Sequence, residues 1–437
     1  MNSWHDWVGS CVRRTARDAA QVAMRLVTVL AVTAAIPAVS QEKPLAPRPL
    51  ADAQVLPAGP VGSVPSKLGE KDATPDATKA PDKPVTKPKS IALILPLSSQ
   101  ALGKAAEAAR AGFLAAADFS GKEQFEARVY LAEDEAASTA AMYRKAAADG
   151  AVAIVGGLTR DGAATVSRES SYLPTLALNM PSDSARDHAN NFFYISLSLD
   201  WDARLAARAA AGEGFRNAAI VHSNTALAKR IQDAFEKEWI KQGGTIAARI
   251  VFSGNLSDGP KLKAAMGKSD AAKADVVFLA ADMPVARFAR PYLPQGLPVF
   301  ATAQTFDPRA DTVENLDLDS VKYPEIPWFV ERDHSAVMVY PRPQEAMPTE
   351  YERLYALGID AWRIIFALVS SAPSAPAAEK GVVSSKPLPT PRSNAKQPFA
   401  PIDGVTGRIS LDGNHFMRAL PLVEMRDGKA KVSKPAE

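Results

Sequence analysis

The sequence predicts an α/β protein of two doubly wound parallel-sheet lobes, preceded by a signal peptide and a disordered linker. Three observations carry this expectation. Short apolar runs alternate with helix-length segments from Ile91 to Ile195, and the alternation restarts after Asp200. The apolar runs are continuous rather than alternating, which marks strands buried on both faces of a parallel sheet. Glycines stand where a helix must stop before the next strand, as at Gly150 and Gly243-Gly244.

The first series opens with a strand over 91–97, followed by a helix over 104–119 whose Ala105, Ala109, Phe113 and Ala116 share one face. A strand over 127–131, a helix over 138–149, a strand over 151–155 and a helix over 162–170 continue it. Strands over 175–178 and 192–195 close it. Asp200 then reads as the N-cap of a helix over 201–211. Strands over 218–221, 245–252, 275–279 and 298–301 follow, interleaved with helices over 226–242, 261–273 and 285–292. Right-handed crossovers make each series a doubly wound lobe. The division is therefore lobe 1 over 91–200 and lobe 2 over 201–305. A return to lobe 1 covers 306–370 with a helix over 349–369, and C-terminal strands of lobe 2 cover 401–437. In that tail 407–411 and 416–424 read as strands joined through the turn Asp412-Gly413.

Outside the two series the composition changes. Residues 1–40 read as a signal peptide. Arg13, Arg14, Arg17 and Arg25 precede an apolar run over 26–36, and Ala38 and Ser40 suit cleavage before Gln41. That run is too short for a transmembrane helix. Met24 is the expected true start, since Met24-Arg25 and the run make a complete short signal. Cys11, the only cysteine, lies before the run and not at the cleavage point, so the mature chain is expected to be soluble and not lipid-anchored. Residues 41–90 form a Pro-rich linker and 371–400 a flexible insertion, both without apolar period.

The charge balance excludes some functions. A net charge of +3 over 437 residues gives no drive toward nucleic acid or an anionic membrane. The five histidines, at 5, 188, 222, 334 and 415, lack zinc-ligand spacing, and no Gly-x-Ser-x-Gly elbow is present. The loop from Gly254 to Lys261 lacks the Lys-Ser/Thr ending of a phosphate loop. Gly212-Glu-Gly214 lies between helix and strand, the wrong place for a dinucleotide fingerprint. The acids of Glu133-Asp134-Glu135 read as a solvated face. No catalytic residue, metal or cofactor is expected.

A ligand of two such lobes would bind where the carboxyl ends of the strands face each other. The candidates are Ser98 and Ser99 after the first strand, Gly156, Gly157 and Thr159 after the third, and Asn179 after the fourth. In lobe 2 they are Ser223, Asn224, Asp282 and Gln304. The Ser, Thr, Asn and Asp among them are also residue types that cap helices, so capping competes with ligand binding at those positions. Trp201 and Tyr194, near the crossover between lobes, could close over a ligand or pack as hinge core.

Four stretches carry a resemblance. Residues 91–98 (Ile-Ala-Leu-Ile-Leu-Pro-Leu-Ser) with 111–116 (Ala-Gly-Phe-Leu-Ala-Ala) resemble the opening of type I periplasmic binding proteins. Residues 352–361 (Glu-Arg-Leu-Tyr-Ala-Leu-Gly-Ile-Asp-Ala), 404–411 and 416–420 resemble, more narrowly, the LppC/LpoA family of penicillin-binding-protein activators. The resemblance covers about 91–370 and 401–430 and implies a periplasmic, non-enzymatic regulator of peptidoglycan synthesis. Such a regulator contacts a penicillin-binding protein in a Gram-negative envelope. Two features depart from the family: no cysteine follows the apolar run, and no helical-repeat domain is read before residue 91. The alternative is a periplasmic receptor for a small polar solute of the amino-acid type, feeding an ABC transporter.

Overall fold

The computed structural model describes residues 89–436 except 121–123, 135, 171, 184–187, 256, 269, 309, 311 and 371–398. The expected signal peptide, linker and insertion thus lie outside the described residues, apart from the ends at 89–90 and 399–400.

The first series begins with β1 (Lys89–Leu95), α1 (Gly103–Phe119), β2 (Phe125–Leu131), α2 (Ala136–Ala148) and β3 (Ala151–Gly156). It continues through α3 (Arg160–Glu169), β4 (Thr175–Ala177) and β5 (Phe192–Tyr194). The second begins with α4 (Leu199–Gly212), β6 (Asn217–His222), α5 (Ala226–Lys241), β7 (Thr245–Val251) and α6 (Asp258–Met266). It continues through β8 (Val276–Ala280), α7 (Met283–Ala289), β9 (Val299–Ala301) and β10 (Val321–Pro324). After two one-turn helices come α8 (Thr349–Ser370), β11 (Ile402–Gly404), β12 (Gly407–Asp412), β13 (His415–Ala419), β14 (Leu422–Arg426) and β15 (Lys429–Lys434).

Two sheets result. The first has the order β11-β12-β13-β5-β4-β3-β1-β2 and the second β15-β14-β10-β9-β8-β6-β7. The apolar strand β1 sits between β2 and β3, both parallel to it, with Leu93 beside Val129 and Val155. Helices cover both faces of each sheet, because every central strand sends apolar side chains both ways. On one face of the first sheet Leu93 and Val155 pack with Phe113, Trp362 and Ile365. On the other, Ile94 and Ile154 pack with Tyr143 and Val166. In the second sheet, Ile220 and Phe278 meet Phe235 and Trp239 on one face. Val277 and Leu279 meet Leu262 and Ala286 on the other.

α1 and α8 lie side by side at unusually short range. A Cβ on Gly112 would overlap the carbonyl of Tyr355, and one on Gly358 would overlap the carbonyl of Ala109. The pair is finished by Trp362, edge-on to Phe113 at 5.1 Å, whose indole N–H donates to Ser120 Oγ at 3.1 Å.

Five expectations are corrected. The sheets are mixed, since β12 runs antiparallel to β13 and β14 antiparallel to β10. Residues 401–437 do not all return to lobe 2: β11, β12 and β13 extend the first sheet, and only β14 and β15 extend the second. The strand expected over 416–424 is two strands in different sheets, divided at Leu420-Pro421, where proline supplies no backbone N–H for a ladder. Residues 306–370 do not belong wholly to lobe 1, because β10 first completes the parallel part of the second sheet beside β9. Asp200 is not the cap of α4, where Ser198 holds the N-cap position; Asp200 lies in the first turn and pairs with Arg230 at 2.8 Å.

Candidate functional site

At the strand ends of lobe 1 the candidates gather but are largely engaged with their own backbone. Ser99 Oγ donates to Asp134 Oδ2 at 2.7 Å and accepts the Leu102 N–H at 2.9 Å, which fixes the turn leading into α1. Gly157 has φ +69°, and a Cβ there would come within 2.7 Å of Ala163 Cα. Glycine is what lets β3 run straight into α3. Thr159 caps α3, its Oγ1 accepting the Gly162 N–H at 3.0 Å. Asn179 Nδ2 donates to the Leu158 carbonyl at 2.9 Å and its Oδ1 accepts the Met180 N–H. Gly156 is buried and Ser98 exposed. Gly157 and Thr159 line a small cavity with Pro96, Leu102 and Asp134. Asp134 is exposed, in keeping with the solvated face expected of its acidic run.

The lobe 2 candidates are more scattered. Ser223 is buried, with its N–H on the Ala280 carbonyl at 3.0 Å, and Asn224 is exposed. Thr225, one residue on, is the cap of α5 and accepts the Ala228 N–H at 3.1 Å. Asp282 caps α7, accepting the Val285 N–H at 3.2 Å. Gln304 lies half-buried in a single 3-10 turn, Ala303–Thr305. The lobe 1 cavity takes in none of these four. Thr159→Ala should therefore cost about 1 kcal/mol of stability, read as a lowered melting temperature, through loss of the cap alone.

The most developed constellation was not legible in the sequence. The chain crosses between lobes after β5, after β10 and after β13, and residues from all three crossings line one cavity of about 30 Å³. Leu199 and Asp202 come from the first crossing, Glu325 and Ile326 from the second, Arg418 and Leu420 from the third, and Arg353 from α8. Glu325 is 0% exposed and takes both Nη groups of Arg353, at 2.5 and 2.7 Å. Arg418, 3% exposed, donates Nε to the Ser196 carbonyl at 3.0 Å and Nη1 to the Thr406 carbonyl at 3.1 Å. Burial lowers the Arg418 pKa from its ordinary value. Asp202 is 7% exposed, and among the described residues no donor reaches its buried Oδ1. Burial raises its pKa to about 6, against the opposing charges of Arg418 and Arg353.

Beside this cavity Asp360 of α8 is 0% exposed and accepts the N–H groups of Val405 and Thr406, at 3.0 and 2.7 Å, and the Thr406 hydroxyl at 2.6 Å. That ties α8 to the β11–β12 turn. Trp201 donates its indole N–H to the Arg418 carbonyl at 2.7 Å, and Tyr194 stacks on His415 with centroids 4.4 Å apart. Both aromatics thus pack at the crossover. Only a contact map could have found this cluster, because its acids and arginines are spread from residue 202 to 418 and match no motif. Among the described residues no group of three or more His, Cys, Asp or Glu side chains is disposed to hold a metal ion.

Comparison with known proteins adds to this geometry. The family profile described as "LppC putative lipoprotein" matches residues 82–370. The penicillin-binding protein activator LpoA of Enterobacter sp. (strain 638) is 25% identical over 255 residues, 49% of this chain and 35% of that protein. The LpoA of Yersinia pestis bv. Antiqua (strain Angola) is 24% identical over 282 residues, 54% of this chain and 42% of that protein. The chain thus spans well under half the length of the curated relatives it matches. Among solved structures, full-length LpoA from Haemophilus influenzae superposes with a TM-score of 0.60 at 20% identity, over 79% of this chain and 59% of that one. A "putative branched-chain amino acid ABC transporter" from Chromobacterium violaceum gives 0.60 at 30% identity, over 77% of this chain and 100% of that one.

Proposed function

The chain belongs to the LppC family, and from that premise we propose that it is a non-enzymatic periplasmic protein that binds and activates a penicillin-binding protein in peptidoglycan synthesis. The carrying observation is that the family match runs over 82–370, through both parallel series, and that the curated relatives are named penicillin-binding protein activators. The chemistry of the strand ends supports the same reading. Thr159 and Asp282 spend side-chain oxygens on capping their own helices and Asn179 donates to the neighbouring loop at Leu158, so protein surface is the better supported means of binding. Export follows from the apolar run over 26–36. Among the described residues no helix is long and apolar enough to cross a membrane.

The purified chain, added to a bifunctional penicillin-binding protein in a glycan-polymerisation and crosslinking assay, should raise the rate several-fold and saturably. An unchanged rate together with no binding by surface plasmon resonance would dispose of the reading.

A second reading has one specific observation behind it. The Chromobacterium structure is 30% identical and wholly covered. On that reading the strand-end cavity of lobe 1 takes part in holding a branched-chain amino acid. At a concentration near 100 Kd such a ligand adds about 2.7 kcal/mol of stability. A thermal-shift series with leucine, isoleucine and valine that shows no change would remove it.

A further inference from the structure

The interlobe cavity joins every segment about which the lobes can turn, and it holds a carboxylate oxygen without a donor. Arg353 gives both Nη groups to Glu325, and Arg418 gives Nε and Nη1 to backbone carbonyls. Among the described residues no donor reaches Asp202 Oδ1. Thr302, next to the lining residue Ala303, also has a buried hydroxyl without a partner. Without a protein donor an ionised carboxylate in such a buried place is poorly compensated, whereas a carboxylic acid loses far less.

We propose that Asp202 is a proton-operated latch on the interlobe hinge: the arrangement described here favours its protonated carboxyl, and a rotation that opens the cavity to bulk solvent favours release of the proton. Only the O–H bond breaks, and water takes the proton. The inference goes beyond the activator reading and stands whichever partner the lobes take.

The groups facing Asp202 come from each element packed around it. They are Arg418 of β13, Arg353 of α8, Glu325 after β10, and Asp200 on its own helix. Asp360 acts on Arg418 from α8. His415, near Arg418, is held neutral down to about pH 4, by burial first and then by the Arg418 charge. It changes charge at the acid edge of the range and must be separated by experiment.

The sign follows from Asp202's two environments. Its pKa is about 6 as buried here, against an ordinary 3.8. Below about pH 4 both arrangements are protonated and there is no bias. As the pH rises from about 4 to about 6 the hydrated arrangement loses its proton first and is favoured. Above about 6 the bias is complete, at about a hundredfold in the hinge equilibrium.

The test uses the full chain with Cys11→Ser and spin labels at Lys104→Cys on α1 and Lys237→Cys on α5, both exposed positions. Interlobe distances are measured by double electron–electron resonance from pH 4.5 to 7.5. The distribution should change with pH. Asp202→Asn, which copies the neutral acid, should hold the low-pH distribution throughout, and His415→Gln should keep the response. The proposal is overturned by a pH-independent distribution in the chain with native Asp202, by an Asp202→Asn chain that still responds, or by loss of the response in His415→Gln. A pH-independent native chain overturns the proposal even where a variant fails to fold, and Asp202→Ala, which should likewise abolish the response, replaces Asp202→Asn if that variant does not fold.

Discussion

Asp360→Ala is expected to destabilise the chain by about 3–5 kcal/mol, the range for removing one member of a buried, charge-assisted network. The carboxylate carries three hydrogen bonds to Val405 and Thr406 and a 3.2 Å ion pair with Arg363, all from a side chain with no exposure. Its loss leaves two backbone N–H groups and a hydroxyl buried without an acceptor, and that penalty outweighs the cavity left by a small side chain. It also unties α8 from the turn that leads into β12. A fall of about 10 °C in melting temperature follows from the size of the effect. Asp360→Asn keeps one acceptor oxygen but turns an NH2 toward a donor, so it should fall between the two. A melting curve for Asp360→Ala within 2 °C of the parent, measured in the same buffer, would show that the network does not hold the turn.

Gly358→Ala should also destabilise, although helix propensity taken alone favours it by up to about 1 kcal/mol. The added methyl would meet the carbonyl of Ala109 and lie 2.8 Å from the Phe113 nitrogen, and neither can move as a side chain would. The two helices must separate, which opens the core around Phe113 and Trp362. Overpacking commonly costs about 1–3 kcal/mol where a rotamer can give way. With backbone on both sides the upper part of that range is expected, and Gly358→Val should exceed it. Gly212 is the control: a Cβ there meets nothing within 4 Å, so Gly212→Ala should be neutral or slightly stabilising. Equal melting temperatures for Gly358→Ala and Gly212→Ala would mean that the helices are not in backbone contact. Both glycines of the helix pair lie in stretches that carry the family resemblance, Ala111-Gly112-Phe113 and Leu357-Gly358-Ile359.

The candidate site was only half legible. Thr159 and Asp282 were recognisable as polar residues after strands, and capping is the part of their dual reading that the structure supports. Asp134 is exposed, as expected of a solvated face, and its carboxylate also binds Ser99 at the cavity rim. The hinge cluster gave no signal at all. Asp202 sits in an ordinary helical pattern, Arg353 and Asp360 sit seven residues apart on one helix, and Arg418 sits in a strand of alternating character.

Local chemistry within each segment determined the two series of strands and helices and the glycine stops between them. Apolar runs, periodicity and turn residues act over a few positions, and the sequence displays them directly. Tertiary structure alone decided that the residues around Pro421 divide one apolar stretch between two sheets, that β10 joins lobe 2, and that five acids and arginines from four distant segments share the hinge. Those outcomes depend on which surfaces meet after the segments have formed. Burial and ion pairing are properties of that meeting and not of any stretch of chain.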